Sequence, residues 1–286
     1  MALPGVRLGY RAFRLPRQGH GLEECQDALA ADAERGRFAI ADGAAESLYS
    51  SLWACLLVEE FVRQSERLPR WSKWLPSLQV HWMEMVTSPP TPTLPHKEGE
   101  SQLSPSPLAG EGLLSPSPLA GEGWGGGGAV DGMPWYLEAG LIQGAFATFL
   151  GLVIEERKWY AVAVGDSCLF QIRRDELIRS FPVAQAADFS NTPWLVGSRT
   201  SPREVPHKNG LQQVGDCQPG DRLWLMTDAL AQWFLTQAES GGKPWQALAR
   251  VSDEASSEQS FASWIEELRS ARQLRNDDVT LLAVSV

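Results

Sequence analysis

Aspartate residues recur at the ends of apolar, strand-like runs in this sequence. Four positions share this setting: Asp42 after the run 38–41, Asp166 after 160–164, Asp228 after 223–226, and the Asp277-Asp278 pair before 279–284. Carboxylates held at strand ends can converge on one point, where they repel one another unless a cation lies between them. Oxygen-only clusters suit Mg²⁺ or Mn²⁺. The pattern therefore predicts a divalent-metal site built from residues far apart in the chain.

Each of these aspartates also has a structural interpretation. An aspartate at the end of a strand is commonly a turn former, and a single one would be assigned that role. The adjacent residues Asp277 and Asp278 leave a further choice open. We favour Asp277 as the ligand, with Asp278 either solvated or supporting the ligands.

The composition excludes several classes of protein. The 286 residues are 43% hydrophobic, enough for one sizeable core. The net charge of -10 argues against a nucleic-acid partner, which would favour a basic face. The cysteines lie far apart and are interpreted as buried reduced thiols. The sequence shows neither a signal-like segment nor an apolar run of ~18–20 residues, so we expect a soluble cytoplasmic protein without a membrane partner.

One segment differs in composition from the rest. From about residue 87 to 130 the chain is rich in Pro, Ser, Gly and Glu, and the sequence of 103–112 is repeated at 114–123. Such a segment cannot bury enough apolar surface to offset the entropy of ordering it. We interpret it as a disordered insert within a single domain spanning residues 1–286. The alternative is a proline-rich ligand for a partner domain, although the repeats lack basic residues beside their prolines.

Hydrophobic periodicity places the helices and strands that must position the aspartates. Helices are predicted at 44–67, 71–86, 229–238, 245–255 and 260–274. Strands are predicted up to residue 42 and at 140–154, 177–181, 222–227 and 279–286, with a strand pair within 159–172 around Gly165-Asp166-Ser167. Many antiparallel hairpins with a few segregated helices are typical of an α+β sandwich. The twelve tryptophans are interpreted as core residues.

Five short motifs occur in the order found in one enzyme family. They are Cys-Gln-Asp-Ala at 25–28, Ala-Asp-Gly at 41–43, Val-Gly-Asp-Ser at 164–167, Gly-Asp-Arg-Leu-Trp-Leu-Met-Thr-Asp at 220–228, and Asn-Asp-Asp-Val-Thr at 276–280. In this order they resemble the metal-dependent serine/threonine phosphatases of the protein phosphatase 2C family, in a compact bacterial form. The loop 189–193 also resembles bacterial members. Each motif alone is common, but the ordered set spans the whole non-repetitive chain.

The resemblance implies a fold and an activity. The fold would be two packed antiparallel β-sheets flanked by helices, an αββα sandwich with its metals at one edge between the sheets. The activity would be hydrolysis of phosphoserine and phosphothreonine in phosphorylated proteins. A water bridging two Mn²⁺ or Mg²⁺ ions would act as the nucleophile, without a covalent intermediate. The resemblance leaves the oligomeric state unassigned.

The resemblance also implies metal ligands, one residue at a time. Asp42 would bridge two metals, and Gly43 would offer its carbonyl because it has no side chain in the way. The remaining acids would be divided among three sites: Asp228 and Asp277 at the first metal, Asp27 at the second through water, and Asp166 with Asp228 at a weaker third.

The predicted substrate contacts come from the N-terminal segment. Family members often bind phosphate with an arginine upstream of the Asp27 motif, and Arg17 is the best placed, with Arg14 and Arg11 behind it. His20 could act as general acid to the leaving oxygen. The alternative for each of these residues is a solvated surface side chain.

Three departures from the family pattern bear on activity. Gln26 stands where animal members carry an acid, Ala229 replaces a glycine after Asp228, and residues 44–46 differ from the usual glycine or histidine. If the glycine needed positive φ, Ala229 would strain the turn by ~1 kcal/mol. None of the departures removes a predicted carboxylate ligand. The alternative function is a catalytically weak or inactive relative that binds phosphoproteins as a regulatory module.

Overall fold

The computed structural model describes most of the chain outside the predicted insert. The described residues are 8–45, 47–87, 140–190, 192–199, 210–253 and 257–286. The predicted insert therefore lies outside them except for its first residue, Thr87. Glu46, in the segment 44–46 that differs from the family pattern, and Asn191, in the loop 189–193, also lie outside the described residues.

Two antiparallel five-stranded sheets form the centre of the molecule. Strands are numbered in chain order. The first sheet has the order β1 (Gly9–Leu15), β12 (Val279–Ser285), β11 (Arg222–Met226), β7 (Cys168–Arg173) and β8 (Glu176–Phe181). The second has the order β10 (Leu211–Asp216), β6 (Lys158–Val164), β5 (Phe149–Glu155), β3 (Arg37–Asp42) and β2 (Asp27–Asp32). The short strands β4 (Phe146–Ala147) and β9 (Val196–Gly197) pair separately.

The inner strand β3 of the second sheet is apolar on both faces because both faces are covered. Phe38 and Ile40 are fully buried between the sheets, in the same cluster as Leu282 of the first sheet. Ala39 and Ala41 point to the opposite face, toward helices. The apolar run that ends at Asp42 is therefore a buried strand leading to the edge of the sandwich.

Helices cover the outer face of each sheet. The second sheet carries α1 (Ser50–Arg63) and α2 (Trp71–Thr87), and the first carries α3 (Asp228–Glu239), α4 (Pro244–Asp253) and α5 (Ser257–Ser270). Helix α1 buries Trp53, Leu57 and Phe61, one every four residues, as a single apolar stripe. The predicted αββα sandwich is confirmed. Among the helices that the structure describes, none combines the length and apolar character of a membrane span.

Two segments depart from the predicted boundaries because the backbone leaves its local pattern to make tertiary hydrogen bonds. The helix predicted at 44–67 begins only at Ser50, since the Ala44 N–H donates to the Phe146 carbonyl at 2.9 Å. The single strand predicted at 140–154 is instead a helical turn at 140–143 followed by β4 and β5. Thr148 separates these strands, and its N–H donates to the Asp42 carbonyl at 2.8 Å.

The predicted strand pair around Gly165 is wrong in its pairing. Two strands exist, but β6 belongs to the second sheet and β7 to the first, so the chain crosses between sheets at residues 165–167. The strands β1, β2 and β10 were not predicted. They lie at sheet edges with one neighbour each, and their solvated faces blur the apolar pattern.

The cysteines and tryptophans largely behave as predicted. All four cysteines are free, and only Cys55 is not fully buried. Most of the described tryptophans are in the core, as Trp53, Trp82 and Trp159 illustrate. Trp194 is different, since it is 60% exposed.

Candidate active site

Five aspartates from both sheets meet at one edge of the sandwich. Asp27 begins β2 and Asp42 ends β3, and the two are direct cross-strand neighbours. Asp166 lies where the chain crosses between sheets, Asp228 follows β11, and Asp277 precedes β12. We call Asp27, Asp42, Asp166, Asp228 and Asp277 the acid cluster. Desolvation raises the pKa of Asp42 well above its usual range, and the charges of the other four acids raise it further.

Asp42 and Gly43 are fixed by contacts on both sides of the backbone. The Asp42 N–H donates to Thr148 Oγ1 at 3.2 Å, and its carbonyl accepts the Thr148 N–H. A Cβ on Gly43 would lie 2.8 Å from the Gln26 carbonyl oxygen and 3.0 Å from Ser50. Glycine is therefore required at residue 43 by close packing of the backbone.

Asp27 is buried with one of its carboxylate oxygens unpartnered. Its side chain is 1% exposed, and Oδ2 accepts the Thr227 hydroxyl at 3.0 Å, whereas Oδ1 has no hydrogen-bond partner among the described residues. Burial raises the pKa of Asp27 to about 8, and the neighbouring Asp278 charge adds to the rise. Thr227 is itself held by β12, since its hydroxyl accepts the Thr280 N–H at 2.9 Å.

Asp166 is the least satisfied acid of the cluster. It is 6% exposed, and within the part of the chain that the structure describes neither carboxylate oxygen has a hydrogen-bond partner. Burial raises its pKa to about 7, with a further contribution from Asp228. Gly165 before it has a φ of 97°, and a Cβ there would lie 2.7 Å from the Thr148 side chain. The crossing between sheets therefore aims a bare carboxylate at the cluster and needs glycine to do so.

Asp228 opens helix α3, where the partial positive charge of a helix N-terminus favours an anion. Ala229 follows in the first helical turn and is 2% exposed. Its backbone is therefore helical, and the replacement of the family's glycine causes no strain there. Burial and the Asp228 charge raise the pKa of Asp277.

Arg275 ties two acids of the cluster together. Its Nη2 atom forms an ion pair with Asp228 Oδ2 and lies 3.3 Å from Asp277 Oδ2. The same nitrogen therefore contacts one oxygen of each of two predicted ligands of the first metal, Asp228 and Asp277.

Asp278 is a supporting residue rather than a solvated one. It is 8% exposed, and its two oxygens accept the backbone N–H groups of Arg17 and Gln26, both at 2.7 Å. Asp278 thereby fastens both ends of the segment 17–26 to the start of β12.

The predicted substrate residues lie beside the cluster rather than in it. In the described part of the chain, no hydrogen bond or ion pair joins the Arg17 or His20 side chain to an acid of the cluster. His20 Nδ1 lies 3.1 Å from Glu24 Oε1. Arg14 comes nearer, since its Nη1 donates to the Asp27 carbonyl at 3.2 Å. The roles assigned to Arg17 and His20 stay predictions.

Sequence reasoning missed three residues that support the acids and left Asp278 open between a solvated and a supporting role. Thr148, Thr227 and Arg275 orient or pair members of the cluster through tertiary contacts, and Asp278 holds the segment beside it. Thr227 and Asp278 stand inside quoted motifs beside predicted ligands, and that adjacency was the available signal. Thr148 and Arg275 carry no local signal, because their partners are remote or depend on how a loop folds.

The donor set fits a hard divalent cation. All its side-chain donors are carboxylate oxygens, and three of these atoms are buried without partners, one on Asp27 and two on Asp166. Among the described residues, however, no three His, Cys, Asp or Glu side chains form a group that could hold a metal ion as placed. The ligands are therefore assembled at one edge, but they do not converge on a single point.

Sequence comparison identifies one family. The family model described as Protein phosphatase 2C matches residues 141–277, slightly less than half of the chain. The match includes Asp166, Asp228 and Asp277 and stops short of the N-terminal acids. No curated protein matches the sequence closely enough to count as a relative.

Solved structures share the fold at low sequence identity. The catalytic domain of the serine/threonine phosphatase PstP, in complex with two manganese ions, superposes with a TM-score of 0.54 at 12% identity over 97% of each chain. The serine/threonine phosphatase Stp1 from Staphylococcus aureus superposes with a TM-score of 0.56 at 12% identity. The match covers 100% of this chain and 97% of the Stp1 chain. PppA, a regulatory component of the type VI secretion system in Pseudomonas aeruginosa, gives 0.53 at 14% identity over 98% of each chain. At these identities the similarity establishes the fold.

Proposed function

Since the resemblance of this chain to the protein phosphatase 2C family is confirmed by the family match, we propose that it is a metal-dependent phosphatase. Its substrates would be phosphoserine and phosphothreonine residues of proteins, and its place of action the cytoplasm. The bound metals would be two Mn²⁺ or Mg²⁺ ions with a weaker third.

One observation carries this proposal. Five carboxylates from both sheets lie at one edge, and buried oxygens of Asp27 and Asp166 have no hydrogen-bond partner. Unpaired buried carboxylates are costly in a folded protein unless a ligand compensates them. A cluster kept only for stability would carry donors to these atoms.

We assign the ligands by the family pattern. Asp42 would serve both principal metals, the Gly43 carbonyl would be a further ligand, and Asp27 would act on the second metal through water. Asp228 and Asp277 would complete the other site, and Asp166 would support the third. When bound, the ions would supply a water of lowered pKa as the nucleophile and would neutralise charge on the phosphate.

The remaining residues orient the substrate and move a proton. Asp278 holds the segment that carries Arg17 and His20 against the site through two backbone N–H groups. The Arg17 guanidinium would bind phosphate oxygens in a bidentate manner. His20 would donate a proton from Nε2 to the leaving serine or threonine oxygen, because Nδ1 is directed at Glu24.

Phosphate release from a phosphothreonine peptide, measured with and without Mn²⁺, tests the proposal. We expect release that depends on Mn²⁺, and we expect Asp42→Asn and Asp228→Asn each to lower kcat by at least about 10²–10³-fold. Each variant removes a carboxylate charge without changing the size of the side chain. Circular dichroism would show that the variants remain folded.

Asp216→Asn is the matched control. Asp216 also ends a strand of the second sheet, but it is exposed and lies at the opposite end of the sandwich, opposite Lys158. We expect it to retain the wild-type rate. Full activity in both cluster variants would refute the site, and a wild-type protein that binds the peptide without hydrolysing it would favour the regulatory module.

A further inference from the structure

A cation of the protein itself lies between two predicted metal ligands. Nη2 of Arg275 pairs with Asp228 Oδ2 and lies 3.3 Å from Asp277 Oδ2. A single nitrogen thus contacts one oxygen from each carboxylate, which is the arrangement a bound cation would adopt. The two acids come from different segments, the start of α3 and the loop before β12, so this contact joins the two segments.

A divalent ion and the guanidinium cannot use these oxygens at the same time. Mg²⁺ binds carboxylate oxygens at about 2.0–2.1 Å, whereas a guanidinium N–H group approaches them to about 2.7–2.9 Å. Drawing both Oδ2 atoms onto an ion would leave no room for Nη2 between them. We propose, on the basis of the proposed function, that Arg275 competes with the first metal for the carboxylates of Asp228 and Asp277. Binding of the metal would then displace the Arg275 side chain.

The position of Arg275 allows such a displacement. The residue lies in the loop between α5 and β12, and its side chain is 41% exposed. Leu274 before it is 5% exposed and anchors the loop in the core. The guanidinium can therefore rotate into solvent without unpacking the loop.

The proposal accounts for the absence of a preformed ligand group in the described residues. With Arg275 in place, Asp228 and Asp277 are spaced for a guanidinium nitrogen rather than for a smaller ion. The arginine also offsets the repulsion among the acids, because its charge lies near Asp166 as well as near its two partners. It would stabilise the metal-free protein and weaken metal binding.

Calorimetric titration of the full chain with Mn²⁺ alone, comparing wild type with Arg275→Gln, tests the proposal. We expect Arg275→Gln to bind Mn²⁺ about 3- to 10-fold more tightly, because the ion no longer displaces an ion pair. We also expect a lower melting temperature without metal and a smaller difference from wild type at saturating Mn²⁺. Neither readout depends on turnover.

Arg272→Gln is the matched control. Arg272 lies in the same loop, three residues before Arg275, and its removal changes the net charge equally. No ion pair of Arg272 is found in the described part of the chain. We expect its Mn²⁺ affinity to stay within about twofold of wild type, which would separate the specific contact from a general charge effect.

The outcomes distinguish this inference from the proposed function. Equal or weaker Mn²⁺ binding by Arg275→Gln, with wild-type binding intact, would overturn the competitor role and leave the metal site standing. Weaker binding in particular would mean that Arg275 helps to position the ligands. If neither protein bound Mn²⁺, both the metal-dependent function and this inference would fail.

Discussion

Asp221 and Asp166 are buried aspartates at opposite ends of the sandwich, and they differ in the hydrogen-bond donors around them. At the end away from the acid cluster, Asp221 is 1% exposed and every oxygen has donors. Arg173 donates to both of its oxygens at 2.7 Å, and Gln171 and the Gln218 N–H add further hydrogen bonds. At the cluster end, Asp166 is similarly buried, and no other described residue donates a hydrogen bond to its carboxylate.

The acidities of the two residues follow these surroundings. Burial alone would raise the pKa of Asp221, but the Arg173 and backbone hydrogen bonds outweigh it and the pKa is lowered. Burial raises the pKa of Asp166 to about 7, because the backbone hydrogen bond and the Arg275 charge that lower it do not outweigh the desolvation. A buried carboxylate with a full set of donors is a structural part of the fold, whereas one without side-chain donors is a candidate for binding a ligand.

The largest expected effect on stability lies at the structural end. Asp221→Ala should lower the free energy of unfolding by about 3–5 kcal/mol, since it leaves Arg173 and Gln171 without their partner. Urea unfolding would measure this loss. The Mn²⁺ affinity of the folded variant should match wild type. A loss below about 1 kcal/mol would mean that Asp221 is no more structural than Asp166.

The next effect is a difference in pH dependence between the two ends. Asp27 and Asp166, with pKa values raised to about 8 and about 7, hold protons in the native state that the unfolded chain releases above pH about 4. The metal-free protein should therefore lose stability as pH rises from about 4 to about 8. Asp221, with its lowered pKa, contributes stability that is lost only in acid.

Melting temperatures across this pH range, with and without Mn²⁺, would show whether stability decreases as the pH rises. Saturating Mn²⁺ should reduce this loss of stability at higher pH, because the ion would bind the ionised acids. At 100 times its Kd, Mn²⁺ should add about 2.7 kcal/mol to the free energy of unfolding. A metal-free melting temperature that rose steadily from pH 5 to pH 8 would contradict the proposed state of the cluster.

A smaller effect is expected from neutralising one open acid. Asp166→Asn should stabilise the metal-free protein at pH 8 by about 1–2 kcal/mol, because it removes a buried charge that has no partner. Thermal unfolding without metal would show the gain. Exposed Asp216→Asn should change stability by no more than about 0.5 kcal/mol. Destabilisation by Asp166→Asn would indicate that the acid has a structural role.

The smallest effect concerns the departure at residue 229. Ala229→Gly restores the family's residue, and it should cost about 0.5–1 kcal/mol because Ala229 is already helical. Denaturant unfolding and Mn²⁺-dependent turnover would measure the change, and turnover should not rise. A clear gain in activity would show that the alanine does impair the site.

The sequence predicted which acids lie together at this edge better than it predicted how the chain connects them. Asp42 and Asp228 stood out because a buried strand ends abruptly in an acid, and this signal is local. The crossing of the chain between sheets at Gly165 was missed, since strands in one sheet or two have the same apolar pattern. The pairing of Arg275 with Asp228 was also missed, because it depends on how a loop folds back onto a helix start.

The layer formed by α1 and α2 has a consequence for the evolution and engineering of the chain. Helix α2 ends at Thr87, and the described chain resumes at Gly140, which lies against Leu48 just before α1, while Leu141 packs on the same apolar cluster. Departure and return therefore lie on one outer layer, while the pairing of β3 with β5 joins the two sides of this junction inside the second sheet. We therefore expect a reporter domain or affinity tag inserted at this junction to leave the acid cluster in place.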